Sequence, residues 1–163
     1  MDKKALIRWV GWACALLLCG CRLAASVECD QLPSDSLRGN AGCLIQRDGA
    51  LLMVQQRLDG RWALPGGTAE TGERAACTAA RETREETGLP VQVTDYLKTL
   101  DNGFHLYLCE VPAGAVTQPR DALEIADIAW VDEAERGRLP LRFPDQQAEV
   151  ELLLQVLAPQ PSH

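Results

Sequence analysis

Three carboxylates set the chemistry to look for: Glu82, Glu85 and Glu86, spaced i, i+3 and i+4. On a helix these positions share one face. Like charges so placed weaken an isolated helix by roughly 0.2–0.5 kcal/mol per pair. A chain that keeps them beside a glycine pair is expected to hold a hard cation there. Carboxylate oxygens suit Mg²⁺ or Mn²⁺, and Mg²⁺ is usually bound through one or two carboxylates plus substrate phosphate and water. The pair Gly66-Gly67 follows Trp62-Ala63-Leu64-Pro65. Glycines let backbone approach a ligand closely, and a carbonyl there would add an oxygen to those from the helix.

The elements that must position this cluster are legible around it. Glu73 falls in the expected first turn of a helix, where the dipole favours a negative charge. The body is rich in alanine and arginine, both strong helix formers. Ala76, Ala80, Thr83 and Thr87 make a small-residue stripe on another face, suited to close packing on a sheet. Gly88 stands at the usual C′ position with Pro90 just beyond, so the helix is expected over 73–87.

The string from Gly67 to Leu89, GTAETGERAACTAARETREETGL, resembles the Nudix box, G-x5-E-x7-R-E-U-x-E-E-x-G-U with U aliphatic. Gly67, Glu73, Arg81, Glu82, Glu85, Glu86, Gly88 and Leu89 fall on its fixed positions; Thr83 replaces the first aliphatic residue. The wider resemblance covers about residues 41–155. It implies an α/β/α sandwich with a mixed sheet and hydrolysis of a diphosphate linkage in a nucleoside diphosphate derivative, using Mg²⁺ with Mn²⁺ as substitute. By similarity Glu82, Glu85, Glu86 and the Gly66 carbonyl are metal ligands, and Glu82 or Glu86 also orients or deprotonates the attacking water. Arg81 is expected to pair with Glu73 or a neighbouring carboxylate and hold the geometry. Some relatives place a further ligand from outside the box in the stretch holding Glu124. Arg57 and Arg61 flank the loop before Trp62 and are candidate phosphate clamps, with solvated side chains as the ordinary alternative. Gly67 and Gly88 carry structural roles. Many relatives dimerise, so a homodimer is an open expectation.

The N-terminus carries a second message. Lys3, Lys4 and Arg8 precede the apolar run Trp9–Gly20, which at 12 residues is too short to span a bilayer and fits a signal peptide over 1–25. Leu18-Cys19-Gly20-Cys21 resembles a bacterial lipobox, with lipidation at Cys21 and membrane attachment; cleavage after Ala25 to a soluble periplasmic form competes. A misassigned start codon would instead leave a cytoplasmic protein. Export permits disulfides, and a Cys29–Cys43 bridge would tie an N-terminal arm over 26–40 to the domain. Cys77 and Cys109 read as buried free thiols.

The remainder reads as one domain over 41–157 with a disordered tail at 158–163. Asp48-Gly49 between apolar runs signals a hairpin. Strands are expected from Val91 to Leu97 or Leu100, from Phe104 to Val111 and from Ile125 to Val131. A loop spans 112–122, and an amphipathic helix runs from Phe143 to Leu157. His105 and Tyr107 share a strand face and read as ordinary sheet packing or a contact to a substrate's base. The net charge is −7 with no basic stripe, which argues against polymeric nucleic acid and for a small-molecule partner held by metal and a few arginines.

Overall fold

Alternation along the central strands decides the layering. The computed structural model describes residues 36–119 and 121–157. In chain order these form β1 (Ala41–Leu44), β2 (Gln46–Arg47), β3 (Ala50–Gln56), β4 (Trp62–Ala63), β5 (Gly66–Gly67), α1 (Ala75–Thr87), β6 (Gln92–Thr99), β7 (His105–Glu110), β8 (Ile125–Val131), α2 (Glu133–Arg136) and α3 (Gln147–Leu157). Cys43, Leu52, Tyr107 and Cys109 face one core with the alanines of α1. Their neighbours Leu44, Leu51, Met53 and Leu106 face the other, with Leu154 of α3. A period of two with both faces buried is what a sheet layer between helices requires. The α/β/α architecture is therefore as the sequence led one to expect.

The expected mixed sheet is present, and a second sheet stands beside it in the chain's pairing. The first has order β5-β1-β7-β6, with β1 and β7 parallel and the other pairs antiparallel. The second is antiparallel, with β2 and β4 on one side of β3 and β8 on the other. The expected hairpin is present, with Asp48 and Gly49 both at positive φ as a tight two-residue turn needs. Its first arm is only β2, however, because β1 leaves to pair with β5. Gly42 permits that: a Cβ there would lie 2.7 Å from the Phe104 ring and 3.0 Å from the Gly66 Cα.

α1 starts at Ala75 with Arg74 as N-cap, so Glu73 lies outside the helix rather than in its first turn. Its carboxylate instead accepts from the Glu70 N–H, the Thr78 hydroxyl and Arg81. The small-residue stripe is buried as expected, and Gly88 closes the helix at φ 73° by donating to the Arg84 carbonyl. Thr83, the departure from the family pattern, is fully buried, and its Oγ1 has no hydrogen-bond partner. An unpaired buried hydroxyl costs on the order of 1 kcal/mol or more, so Thr83→Val is expected to raise the melting temperature with no loss of helicity. An unchanged or lower value would show that the hydroxyl is satisfied.

Two other expectations shift at their ends. The segment read as helix from Phe143 begins as a 3-10 turn over Pro144–Gln146, since proline suits a first turn, and α3 follows. Residues assigned to the arm already belong to the fold: the Leu37 carbonyl accepts from Ala75 and the Asn40 carbonyl from His105. α2 was not foreseen; one turn gives no periodicity, though Asp132 and Glu135 form a capping box.

The cysteine expectations are corrected. Cys43 is bonded to Cys109, not to Cys29. β1 and β7 are parallel neighbours with Cys43 opposite Tyr107, so Cys109 is one pleat further on the same face. Neither is a free thiol, and Cys77 is disulfide-bonded too. Cys21 and Cys29, with the leader over 1–25, lie outside the described residues. Among the described residues no helix is long and apolar enough to cross a membrane.

Candidate active site

The end of α1, the β5 glycines and the turn before β8 meet at a cavity of about 660 Å³. Glu82, Glu85, Glu86 and Glu124 all line it, together with Gly66 and Gly67. The shared face of the helix is graded in burial: Glu86 is 5% exposed, whereas Glu85 reaches solvent. Glu86 is held at both oxygens. The Gly66 N–H donates to Oε2 at 2.8 Å and Gln56 Nε2 to Oε1 at 3.4 Å. Gly67 exists where it does for Glu82, because a Cβ there would lie 2.5 Å from the Glu82 carboxyl carbon.

Arg81 organises the rest. Its Nε and Nη2 grip both oxygens of Glu73 at 2.9 and 2.8 Å, and Nη1 reaches Glu82 at 2.9 Å and Glu85 at 3.2 Å. Nη2 also donates to the Thr68 carbonyl. Such a fork is what guanidinium geometry supports and an ammonium does not. The expected pairing with Glu73 and neighbouring carboxylates is thus present, with Arg81 and Glu73 outside the cavity lining and acting as a brace.

The carboxyls divide electrostatically. Hydrogen bonding from Arg81, aided by Glu70 and Thr78, outweighs burial and lowers Glu73 to about 2. Glu82 is raised, chiefly by burial, against the pull of Arg81. Glu86 is raised to about 8 by burial, with the Gly66 N–H opposing and Glu82 and Glu124 adding to the rise. Carboxyls that make one another harder to ionise fit a divalent cation, which supplies the missing positive charge. The donor set, all oxygen, suits Mg²⁺ or Mn²⁺. Among the described residues no three such side chains are grouped as a formed metal site. The fit rests on this chemistry and on the shared cavity.

Other expectations fall differently. Neither Arg57 nor Arg61 lines the cavity. Arg57 is spent on backbone: Nε donates to the Ala122 carbonyl and Nη2 to the Ile125 carbonyl. Arg61 is exposed and its N–H is turned to Asp59. Tyr107 is buried edge-on to Tyr96, and His105 bonds Thr99 and the Arg38 carbonyl, so both serve packing. Gln56, Asp121, Phe104, Arg142 and Phe143 line the cavity without having been singled out. Only Gln56, a polar residue ending an apolar strand, carried a local signal.

A family comparison matches the NUDIX domain over residues 36–153. A "MutT-like protein" from Streptomyces ambofaciens is 34% identical over 96 residues, covering 56% of this chain and 60% of that one. The nucleoside triphosphatase NudI of Escherichia coli is 33% identical over 108 residues, covering 54% and 77%. The chain spans about half the length of several curated relatives it matches. Among solved structures, an ADP-ribose pyrophosphatase from Streptococcus suis superposes with a TM-score of 0.63 at 23% identity, covering 76% of this chain and 94% of the other. The matched domain contains every part of the site, from the β5 glycines to Glu124, and on that ground the chain belongs to the Nudix family.

Proposed function

We propose that this protein is a divalent-metal-dependent diphosphatase that hydrolyses a phosphoanhydride bond in a nucleoside diphosphate derivative or related diphosphate, outside the cytoplasm. The observation that carries the reading is the convergence of Glu82, Glu85, Glu86 and Glu124 on one cavity beside Gly66 and Gly67. Glu82, Glu85, Glu86 and Glu124 would hold the cation, with the Gly66 carbonyl as a further ligand. Bound there, Mg²⁺ would neutralise charge on the diphosphate oxygens and lower the pKa of a coordinated water. Glu82 or Glu86 orients or deprotonates the attacking water, Arg81 fixes the spacing of Glu82 and Glu85, and the Gly66 N–H fixes Glu86. Phe104 and Phe143, which also line the cavity, would receive the group joined to the diphosphate. The bonded state of Cys43, Cys77 and Cys109 supports an oxidising compartment.

A cytoplasmic nucleoside triphosphatase is the second reading, favoured by the likeness to NudI. A sensor that binds without cleaving gives no reason for keeping all three box glutamates. Turnover of nucleoside triphosphates, an oxidised guanine nucleotide, ADP-ribose, dinucleoside polyphosphates, nucleotide sugars and a prenyl diphosphate would be measured with Mg²⁺. Metal-dependent cleavage of one class, lost in Glu86→Gln, is the expected result. Binding without cleavage across the whole set would replace the enzyme with the sensor.

A further inference from the structure

Of the four glutamates read as the metal-holding set, Glu82, Glu85 and Glu86 are on α1 and Glu124 is not. It sits in a turn, so what holds that turn sets where its charge falls. The hold comes from one residue of β3's continuation. Past the last β3–β8 pair, Gln56 with Ile125, the Arg57 N–H donates to the Glu124 carbonyl at 2.7 Å. Its guanidinium takes the carbonyls on either side, Ala122 and Ile125, each at 2.9 Å. Arg57 therefore fastens the residue itself and both its flanks. Asp121 completes the turn from within, its Oδ1 accepting from the N–H groups of Leu123 and Glu124 at 3.0 and 3.1 Å. The Asp121 N–H in turn donates to the Glu85 carbonyl, docking the turn on α1 itself.

We propose that Arg57 and Asp121 are positioning residues that preset Glu124 against the α1 carboxylates, Arg57 from the end of β3 and Asp121 from within the turn. This rests on reading the four glutamates as a metal-holding diphosphatase centre. Two features favour a positioning role over plain loop packing. Gln56, the last residue of β3, touches Glu86, so it and the next residue of the chain contact the helix carboxylate and fasten the turn of the outside one. Glu124 also lines the same cavity as Glu82 and Glu86. An arginine spread over carbonyls cannot be replaced by lysine, whose single ammonium lacks the two spaced donors.

The test uses the full chain with Arg57→Ala, Arg57→Lys, Asp121→Asn, Glu124→Gln, the Arg57→Ala/Glu124→Gln double variant and Glu86→Gln. Three readouts are taken: amide hydrogen exchange at Leu123, Glu124 and Ile125; binding of Mn²⁺ alone; and kcat and KM on the best substrate found. Losing two carbonyl contacts should raise exchange at those amides by about tenfold, weaken Mn²⁺ several-fold and lower kcat by about tenfold with KM little changed. Arg57→Lys should recover only part, and the double variant should be no worse than Glu124→Gln. Multiplying losses in the double variant would overturn the proposal. So would a raised KM with Mn²⁺ binding intact, which is the signature of a phosphate clamp. Should Glu86→Gln bind Mn²⁺ as the wild type does, the metal-centre reading itself fails, whereas unchanged exchange in Arg57→Ala sinks the positioning role alone.

Discussion

Replacing Glu86 with glutamine is expected to lower turnover by about 10³-fold, the scale of a lost acid–base or metal-bound carboxylate, while making the metal-free protein more stable at alkaline pH. The two effects share one cause. Glu86 is 5% exposed, and burial raises its carboxyl from 4.5 to about 8. A folded-state pKa above the unfolded one contributes stability that is complete below the unfolded value. That stability is lost as pH rises through the folded value. In the presence of a chelator the wild type should therefore lose stability between about pH 4.5 and 8. Full ionisation would cost up to roughly 5 kcal/mol, at about 1.4 kcal/mol per pKa unit. Glutamine keeps the shape without the charge: its oxygen accepts from the Gly66 N–H, and its amide nitrogen pairs with Gln56 once that amide turns its oxygen inward, so its curve should be flatter. Added Mg²⁺ should restore the wild type at pH 8 and leave Glu86→Gln almost unmoved. Parallel melting curves for the two proteins across this window would remove burial of charge as the organising feature of the site.

What the sequence made legible follows from range. α1 and its stop were readable because their signals are local: a small-residue stripe, a C′ glycine and a nearby proline. The turn at Asp48-Gly49 was readable for the same reason. The fate of β1 was not, since Ala41–Leu44 looks alike whether it pairs with β3 or with β7. The choice depends on Gly42 admitting Gly66, a contact across 24 residues of chain (66 − 42). The box glutamates were legible as types at fixed spacing, but their unequal burial depends on how α1 lies against β5. Arg57 shows the converse. A cation near a phosphate-binding loop looks like a clamp until the carbonyls of Ala122 and Ile125 are seen to occupy it. Cys43 likewise looked ready for the nearest upstream cysteine, and only the parallel register of β1 and β7 brings Cys109 to it.

Opening the Cys43–Cys109 bridge should destabilise the fold by about 4 kcal/mol, the loop-entropy value for a sequence separation of 66. For a domain of this size that is roughly a 15 °C fall in melting temperature. The position of the bridge explains the size. It joins parallel strands, whose pairing must close a long loop that hydrogen bonds alone compensate slowly. Both sulfurs lie in the core against α1, so their separation also disturbs the layer on which the box helix rests. A Cys43→Ala/Cys109→Ala protein isolates this bridge from the one at Cys77. It should melt lower and, because β1 carries Gly42 against Gly66, turn over substrate more slowly even when folded. Equal melting of this variant and the wild type, with the wild-type bridge verified by thiol counting, would show that packing alone closes β1 on β7. A large loss, in contrast, would mean that under reducing conditions this domain stands near its folding threshold.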